Sequence, residues 1–388
     1  MKVAVVVKDF METRGGLERY AVSLARGLKA RGAQVHVFAN TGEHEEGFLF
    51  HHVPCVRRLS LLKVITFPWN AGRALRKDDY DIVYGLTPLF TQDIYRVGEG
   101  LHRDALRHRH PNLLRRFFRY LNPKHLAILW IEKRMFEGRP FVITNSEMMK
   151  ERVVSLYSIE PQMVHVIYNG FDEKRFNIGA KAHRAEVRKE LSIADDEPLI
   201  IFVSNDFERK GLQALFGAVS LLFRNGERIK VMVIGKGHIE RFAKKAENMG
   251  LGGLVSFVGP KKDIERYYGA ADMLVLPTLY DPFSNVCLEA MACGIPVITT
   301  ARNGASEIIT DGVDGFTLED PNDADLLARR IVEILDVRDI GENAARKAKG
   351  FSLERNISET IVFFNEAAAR KNKGYKGAHD VSKGKKGH

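Results

Sequence analysis

A chain of 388 residues is too long for one ordinary hydrophobic core, and two domains of roughly 150 to 200 residues each are the natural division. Hydrophobic residues at 45% and charged residues at 28% are ordinary globular values, which excludes wholesale disorder. The net charge of +10 calls for an anionic partner, whether nucleic acid, phosphorylated small molecules or an acidic membrane surface.

The amino terminus, MKVAVVVKDF, has a short apolar run before Lys8 and Asp9 and no small-residue cleavage signal, so it reads as a strand rather than a secretory peptide. Further β-branched runs follow at 34–40, 81–86, 141–146 and 163–169, the pattern of strands buried on both faces of a parallel sheet. Between the first two, GGLERYAVSLARGLKARG sets Leu17, Tyr20, Ala21, Leu24 and Leu28 on one helical face, with Gly32 as its stop. After a polar stretch from about Asp172 to Asp196 the alternation restarts, with strands expected at 198–205, 230–237, 255–260, 273–278 and 296–300. In one intervening helix, Leu212, Leu215, Phe216, Val219 and Leu222 form a stripe.

Two doubly wound α/β domains are therefore expected, residues 1–171 and 172–350. A last helix covers 351–370, and a basic tail, 371–388, has too little apolar content to fold. Cys55, Cys287 and Cys293 make an odd set without paired spacing, which fits a reducing cytoplasm. LAILWI at 126–131 is far short of the roughly 20 apolar residues that a spanning helix requires.

The stretch DPFSNVCLEAMACG, 281–294, places Asp281 and Glu289 eight positions apart. A helix starting near Ser284 or Asn285 and stopping at Gly294, with Pro296 beyond, contains Glu289 among apolar neighbours on every side. An ionised group there needs donors. Either an internal cation or amide supplies them, or they arrive with a ligand, since the vicinal hydroxyls of a ribose match one carboxylate. Asp281, in the turn before the helix, faces the same region from the loop.

DPFSNVCLEAMACGIPVI resembles the spaced acid pair of the retaining GT-B glycosyltransferases, specifically family 4, with aspartate in place of the first glutamate. The resemblance implies two Rossmann-like domains facing a central cleft, with the last helix returning to the first domain. It implies that Asp281 and the following Ser284, Asn285 and Val286 contact the transferred sugar and diphosphate, and that Glu289 holds the ribose. SNDFERKGLQ, 204–213, resembles the family's strand-to-helix turn, in which Arg209 and Lys210 reach the diphosphate. Two cations beside a helix amino terminus suit a leaving group that gains negative charge. A lone Arg-Lys pair is usually a solvated surface feature, and the position directly after an expected strand favours the functional reading. METRGGLERY, 11–20, resembles the family's glycine loop, with Gly15 and Gly16 allowing close approach of backbone amides to the donor; by itself a Gly-Gly turn is a plain tight turn.

QDIYRVGEGLHRDALRHRH, 92–110, is similar to the acceptor segment of lipopolysaccharide core glucosyltransferases, which assigns Asp93, Glu99 and His102 to orienting the acceptor or relaying its proton. The competing readings are a helix cap, a loop charge and an exposed imidazole. The span 102–139 is rich in Arg and Lys with interleaved aromatics, suiting an anionic membrane surface or phosphorylated glycolipid, or a solvated helix pair. No nucleic-acid signature accompanies it. DYD at 79–81 directly precedes a strand and is assigned no metal; GKG at 235–237 lacks a dinucleotide fingerprint's third glycine.

The expectation is a metal-independent hexosyltransferase without a cofactor, its nucleotide-sugar donor a substrate and UDP-glucose the favoured one, acting on a saccharide or glycolipid acceptor. Its expected place is the cytoplasm, peripheral to the inner membrane face. A nucleotide-sugar epimerase and a noncatalytic nucleotide-sugar-binding protein are the alternatives.

Overall fold

The computed structural model describes residues 1–12, 15–42, 47–56, 59–75, 79–109 and 121–372, excepting the side chains of 108 and 109. It divides into two compact units, one of Met1–Tyr168 with the chain from Asn356 onward, the other Asn169–Arg355. Each is an α/β layer structure around one parallel sheet.

In the first unit the main strands are β1 (Lys2–Val6), β3 (Gln34–Ala39), β5 (Leu49–His52), β6 (Ile82–Gly85), β7 (Ile94–Val97), β8 (Phe141–Thr144) and β9 (Val164–Val166). Two-residue strands β2 (Asp9–Phe10) and β4 (Thr41–Gly42) pair separately. The sheet order is β5-β3-β1-β6-β7-β8-β9, all parallel. Val3 through Val6 are completely buried, as expected of a strand covered by helices on both faces. Helix Gly16–Ala30 lays Ala21, Leu24, Ala25 and Leu28 inward, and Gly32 beyond it takes a left-handed φ of +78°. The last helix, Leu353–Asn372, buries Ile357, Phe363, Phe364 and Ala367, with Phe364 packed on Tyr84 at 4.8 Å between ring centroids. Each fully buried phenylalanine contributes about 1.5–3 kcal/mol.

The second unit holds β10 (Leu199–Val203), β11 (Lys230–Ile234), β12 (Val255–Gly259), β13 (Met273–Val275), β14 (Val297–Thr300) and β15 (Gly315–Leu318), in the order β12-β11-β10-β13-β14-β15, again all parallel. In both sheets the chain winds outward one way from the first strand and then the other. The order therefore reverses between β1 and β6, and between β10 and β13. Ligands of doubly wound sheets bind outside the carboxyl ends of the strands at such a reversal.

In the two main sheets, β5, β7 and β15 lie where no strand was expected, as does the separate pair β2 and β4. The expected tail falls outside the described residues from 373, as do Arg115, Arg116, Arg119, Phe117, Phe118 and Tyr120.

Candidate functional site

In the second unit the carboxyl ends of β10 and β13, the strands flanking the reversal, carry the residues that sequence reading had singled out. After β10 the chain turns on Asp206, whose carboxylate accepts the Arg209 amide at 3.2 Å, while the Asp206 carbonyl accepts the Lys210 amide at 3.1 Å. Phe207 is buried and anchors the turn. Gly211 then opens helix Leu212–Arg224 with φ at +80°, and a Cβ there would run into the Pro277 carbonyl. We expect Gly211→Ala to destabilise the unit by about 2–4 kcal/mol and to displace Lys210, measurable as a lowered urea midpoint with weaker donor binding.

The loop after β13 is stitched to this turn. The Leu279 amide and the Thr278 hydroxyl donate to the Arg209 carbonyl at 2.9 and 3.2 Å. Arg209 in return donates from Nη1 to the Tyr280 carbonyl at 2.8 Å and to Asp281 Oδ2 at 3.0 Å. Lys210 Nζ donates to both Asp281 Oδ2 and Ser284 Oγ. Lys210, Asp281 and Ser284 are all buried. Burial works to raise the Asp281 pKa, but the charges and hydrogen bonds of Lys210 and Arg209 overcome it and hold the carboxyl below the usual aspartate range.

Ser284 caps helix Asn285–Ala292 in position only. Its hydroxyl makes no cap bond and meets Lys210 instead. Its amide is taken by Asn303 Oδ1 at 3.0 Å, and the same oxygen accepts the Ala305 amide at 3.1 Å. Fully buried Asn303, which also donates to Thr299 Oγ1 at 2.9 Å, thus fixes the start of that helix. Sequence reading missed it; its only signal is the Asn-Gly pair after β14, which reads as an ordinary turn.

Glu289 corrects an expectation. Its helix is not apolar all round: Asn285 is exposed, and Val286 and Glu289 are half-buried, which leaves one open face on eight residues that otherwise pack inward. Glu289 Oε2 accepts the hydroxyl of buried Tyr268 at 3.1 Å, and burial together with the Glu289 charge pushes that phenol's pKa up. The acid sunk among internal cations is Asp281 instead. Cys287 and Cys293 are buried free thiols, each pushed up to about 12 by burial, and so stay protonated.

In the first unit Gly15 and Gly16 stand after β1, at the corresponding reversal. Gly15 is extended at φ −169°, so no left-handed backbone requires glycine there. Glu99 is exposed in the loop after β7, next to that turn: a Cβ on Gly98 would lie 3.7 Å from Leu17. His102 opens helix His102–Arg109, its amide donating to Glu132 Oε1 at 3.0 Å and its ring Nε2 lying 2.9 Å from His125 Nδ1. Asp93 is not with them. It precedes β7, at the amino end of the strand whose carboxyl end leads to Glu99, and there Oδ2 accepts the Val83 amide at 2.8 Å and Lys371 Nζ at 3.0 Å. The expected grouping of Asp93 with Glu99 and His102 therefore fails, because a whole strand separates the first from the others, and its helix-cap reading fails because it starts a strand.

Residues 14–175 match the profile of Glycosyltransferase Family 4, and residues 183–351 that of Glycosyl transferases group 1. An uncharacterized glycosyltransferase of Methanocaldococcus jannaschii is 30% identical over 57% of this chain and 57% of its own, so the matched region spans little more than half of that relative. A Burkholderia thailandensis protein named a probable transglycosylase is 29% identical over 93% of this chain and 96% of its own. Among solved structures, WaaG, a glycosyltransferase involved in lipopolysaccharide biosynthesis, superimposes with TM-score 0.78 at 21% identity, covering 93% of this chain and 99% of WaaG. Anabaena HepE in complex with UDP and glucose gives 0.70 at 19%, covering 94% and 99%. With the two profiles together matching 14–175 and 183–351 and both sheets matched to these folds, the chain belongs to the glycosyltransferases of family 4 and group 1 and has the GT-B fold.

Proposed function

We propose that this chain transfers a hexose from a nucleoside-diphosphate sugar to a saccharide or glycolipid hydroxyl with retention of anomeric configuration. The observation that carries the reading is the pairing of Arg209 and Lys210 with Asp281 and Ser284 at the β10–β13 reversal. A diphosphate there meets two cations and the amino end of helix Leu212–Arg224 beside buried Lys210, Asp281 and Ser284, and charges act more strongly where water is displaced. Glu289, on the open face of its helix, is positioned to accept ribose hydroxyls, with Tyr268 holding its second oxygen. Asn285 and Val286 flank the sugar and diphosphate from the same helix.

In this reading the bond from the anomeric carbon to the diphosphate breaks as the acceptor oxygen bonds the same face, and the acceptor proton passes to a departing phosphate oxygen. Arg209 and Lys210 take up the charge that develops, and the nucleotide sugar is a substrate rather than a cofactor. Glu99 and His102 are assigned to the acceptor, beside the Gly15–Gly16 turn; Asp93 is assigned to joining the last helix to the sheet.

UDP-glucose is the favoured donor, which the UDP and glucose bound to the HepE fold support, and a lipopolysaccharide core saccharide the favoured acceptor, which the WaaG likeness supports. Action at the inner membrane face from the cytoplasm completes the proposal. Thermal unfolding with UDP-glucose, UDP-galactose, UDP-N-acetylglucosamine, GDP-mannose and ADP-heptose tests the donor. We expect UDP-glucose alone, at about 100 times its Kd, to stabilise by about 2.7 kcal/mol. Stabilisation by another member of the panel and not by UDP-glucose overturns the donor assignment. Product analysis with donor alone separates transfer from epimerisation.

A further inference from the structure

The first unit gathers two cations of its own at the carboxyl edge of its sheet. Lys8 stands just past β1, and its carbonyl accepts the Asn40 amide, just past β3, at 2.9 Å, so the side chain leaves the sheet at the β1–β6 reversal. Helix Ser60–Leu75 brings Lys63 to the same edge. That helix leads from β5 towards β6 and packs along β1, with Phe67 in a core cluster beside Val6 and Phe38. Its first turns are pinned where β5 ends, since the Val56 amide donates to Thr66 Oγ1 at 3.1 Å. Lys63 lies one turn before Phe67 on the same side of the helix and overhangs the end of β1, while Leu62 and Ile65 face outward.

These two ammonium groups lack a built-in counter-ion. Among the described residues neither makes an ion pair or a side-chain hydrogen bond, although both are half-buried. Asp9 is engaged elsewhere, accepting the Thr41 hydroxyl in the β2–β4 pair, and Glu99 is exposed in the loop after β7. Burial first, and then the Lys63 charge, lower the Lys8 pKa; Glu99 and Asp9 act the other way without reversing the shift. Like charges confined together away from bulk water repel until an anion joins them.

We propose that Lys8 and Lys63 hold a phosphate monoester carried by the acceptor, which makes the substrate class a phosphorylated saccharide. The proposal rests on the transfer reading and narrows its acceptor. A phosphate monoester carries about −1.5 to −2 charges at pH 7 and matches two cations, whereas a carboxylate leaves one of them uncompensated. Lysine meets such a group as a point charge on a flexible stem, without the planar fork that suits arginine to carboxylates. Glu99 is near enough for its charge to act on Lys8, so a sugar whose phosphate sits between the lysines presents its ring hydroxyls to the residue assigned to orient them. The donor's diphosphate belongs to a different pair, Arg209 and Lys210 of the second unit.

Thermal unfolding of the full chain saturated with UDP tests the site, with inorganic phosphate, glucose 6-phosphate and glucuronate as probes at matched ionic strength. UDP keeps Arg209 and Lys210 occupied, so any further stabilisation reports a second anion site. We expect inorganic phosphate and glucose 6-phosphate each to raise the melting temperature, and glucuronate to raise it much less. Lys8→Gln and Lys63→Gln should each weaken phosphate binding about 10-fold. Both variants lose a repulsion rather than a contact, so they should fold, and an unchanged shift with UDP shows that they do. No phosphate shift beyond UDP in the wild type, or an equal shift in the Lys8→Gln, Lys63→Gln double variant, would overturn the lysine site. A glucuronate shift as large as that of phosphate would overturn the phosphate assignment. A wild type that UDP fails to stabilise would overturn the nucleotide-sugar reading instead, and the comparison of phosphate shifts between wild type and double variant would still decide the lysine pair.

Discussion

Lys210→Ala is expected to lower turnover by about 10²- to 10³-fold, some 3–4 kcal/mol of barrier, while leaving the chain folded. The ammonium donates to both the Asp281 carboxylate and the Ser284 hydroxyl, so it marks the point at which the loops after β10 and β13 converge. A fixed cation at that point gains interaction as the departing diphosphate acquires charge, so its loss is felt in kcat more than in KM. Arg209, 3.0 Å from Asp281 in the wild type, remains to pair with it, so the variant does not leave an unpaired buried charge. Folding should therefore suffer less than catalysis. Steady-state kinetics beside a urea melt check both halves, and an unchanged kcat would remove the leaving-group role.

The contrast between Lys210 and Arg96 shows what sequence can carry. Runs such as VAVVV and LIIFV announce buried parallel strands because every position is apolar, and β1 and β10 lie where those runs are. β7, Ile-Tyr-Arg-Val, breaks that rule. Arg96 is buried in mid-strand, 4.4 Å from the Tyr20 ring. Burial opposes its charge, but the Tyr20 and Tyr84 phenols raise its pKa, so the cation is retained inside. No period-two pattern signals a charge whose partners are aromatic rings on other elements. β5, Leu-Phe-His-His, and β15, Gly-Phe-Thr-Leu, are four-residue strands lacking a β-branched run, and they pair at or near the edges of their sheets.

The candidate site was legible as a set of residue types at set spacings, but not as a set of contacts. Lys210 and Asp281 are 71 positions apart, and their pairing follows from the adjacency of β10 and β13, which sequence order conceals. This is why the buried acid was sought at Glu289. Local apolar neighbours measure a helix's burial on average and miss the one face left open at Asn285, Val286 and Glu289. Asp93 lies apart from Glu99 for a similar reason: the two are close along the chain, but β7 runs between them and sets them at its opposite ends.

Asp281→Asn carries the second large expectation, and it separates two things the wild-type carboxylate does. In the ligand-free protein Asp281 neutralises Lys210 and Arg209 within the fold, standing where an anionic ligand's oxygens would otherwise compete for them. Removing one partner of a buried ion pair costs about 3 kcal/mol, which for a unit of this size lowers the melting temperature by about 6–12 °C. The freed cations should then hold a nucleoside diphosphate more tightly, by about 10-fold, so UDP should raise the variant's melting temperature further than the wild type's. Transfer should fall despite the tighter binding, because the carboxylate proposed to contact the transferred sugar is gone. The pH dependence has a definite sign. A carboxyl whose native pKa is depressed stabilises the fold fully above its unfolded value, about 3.9, and loses that contribution as pH falls through the native value. The stability gap between wild type and Asp281→Asn should accordingly be constant from pH 7 to about pH 5 and close below pH 4. A gap that persists undiminished at pH 2, or UDP affinity that drops in the variant, would mean that Asp281 does not compete with the diphosphate for Lys210.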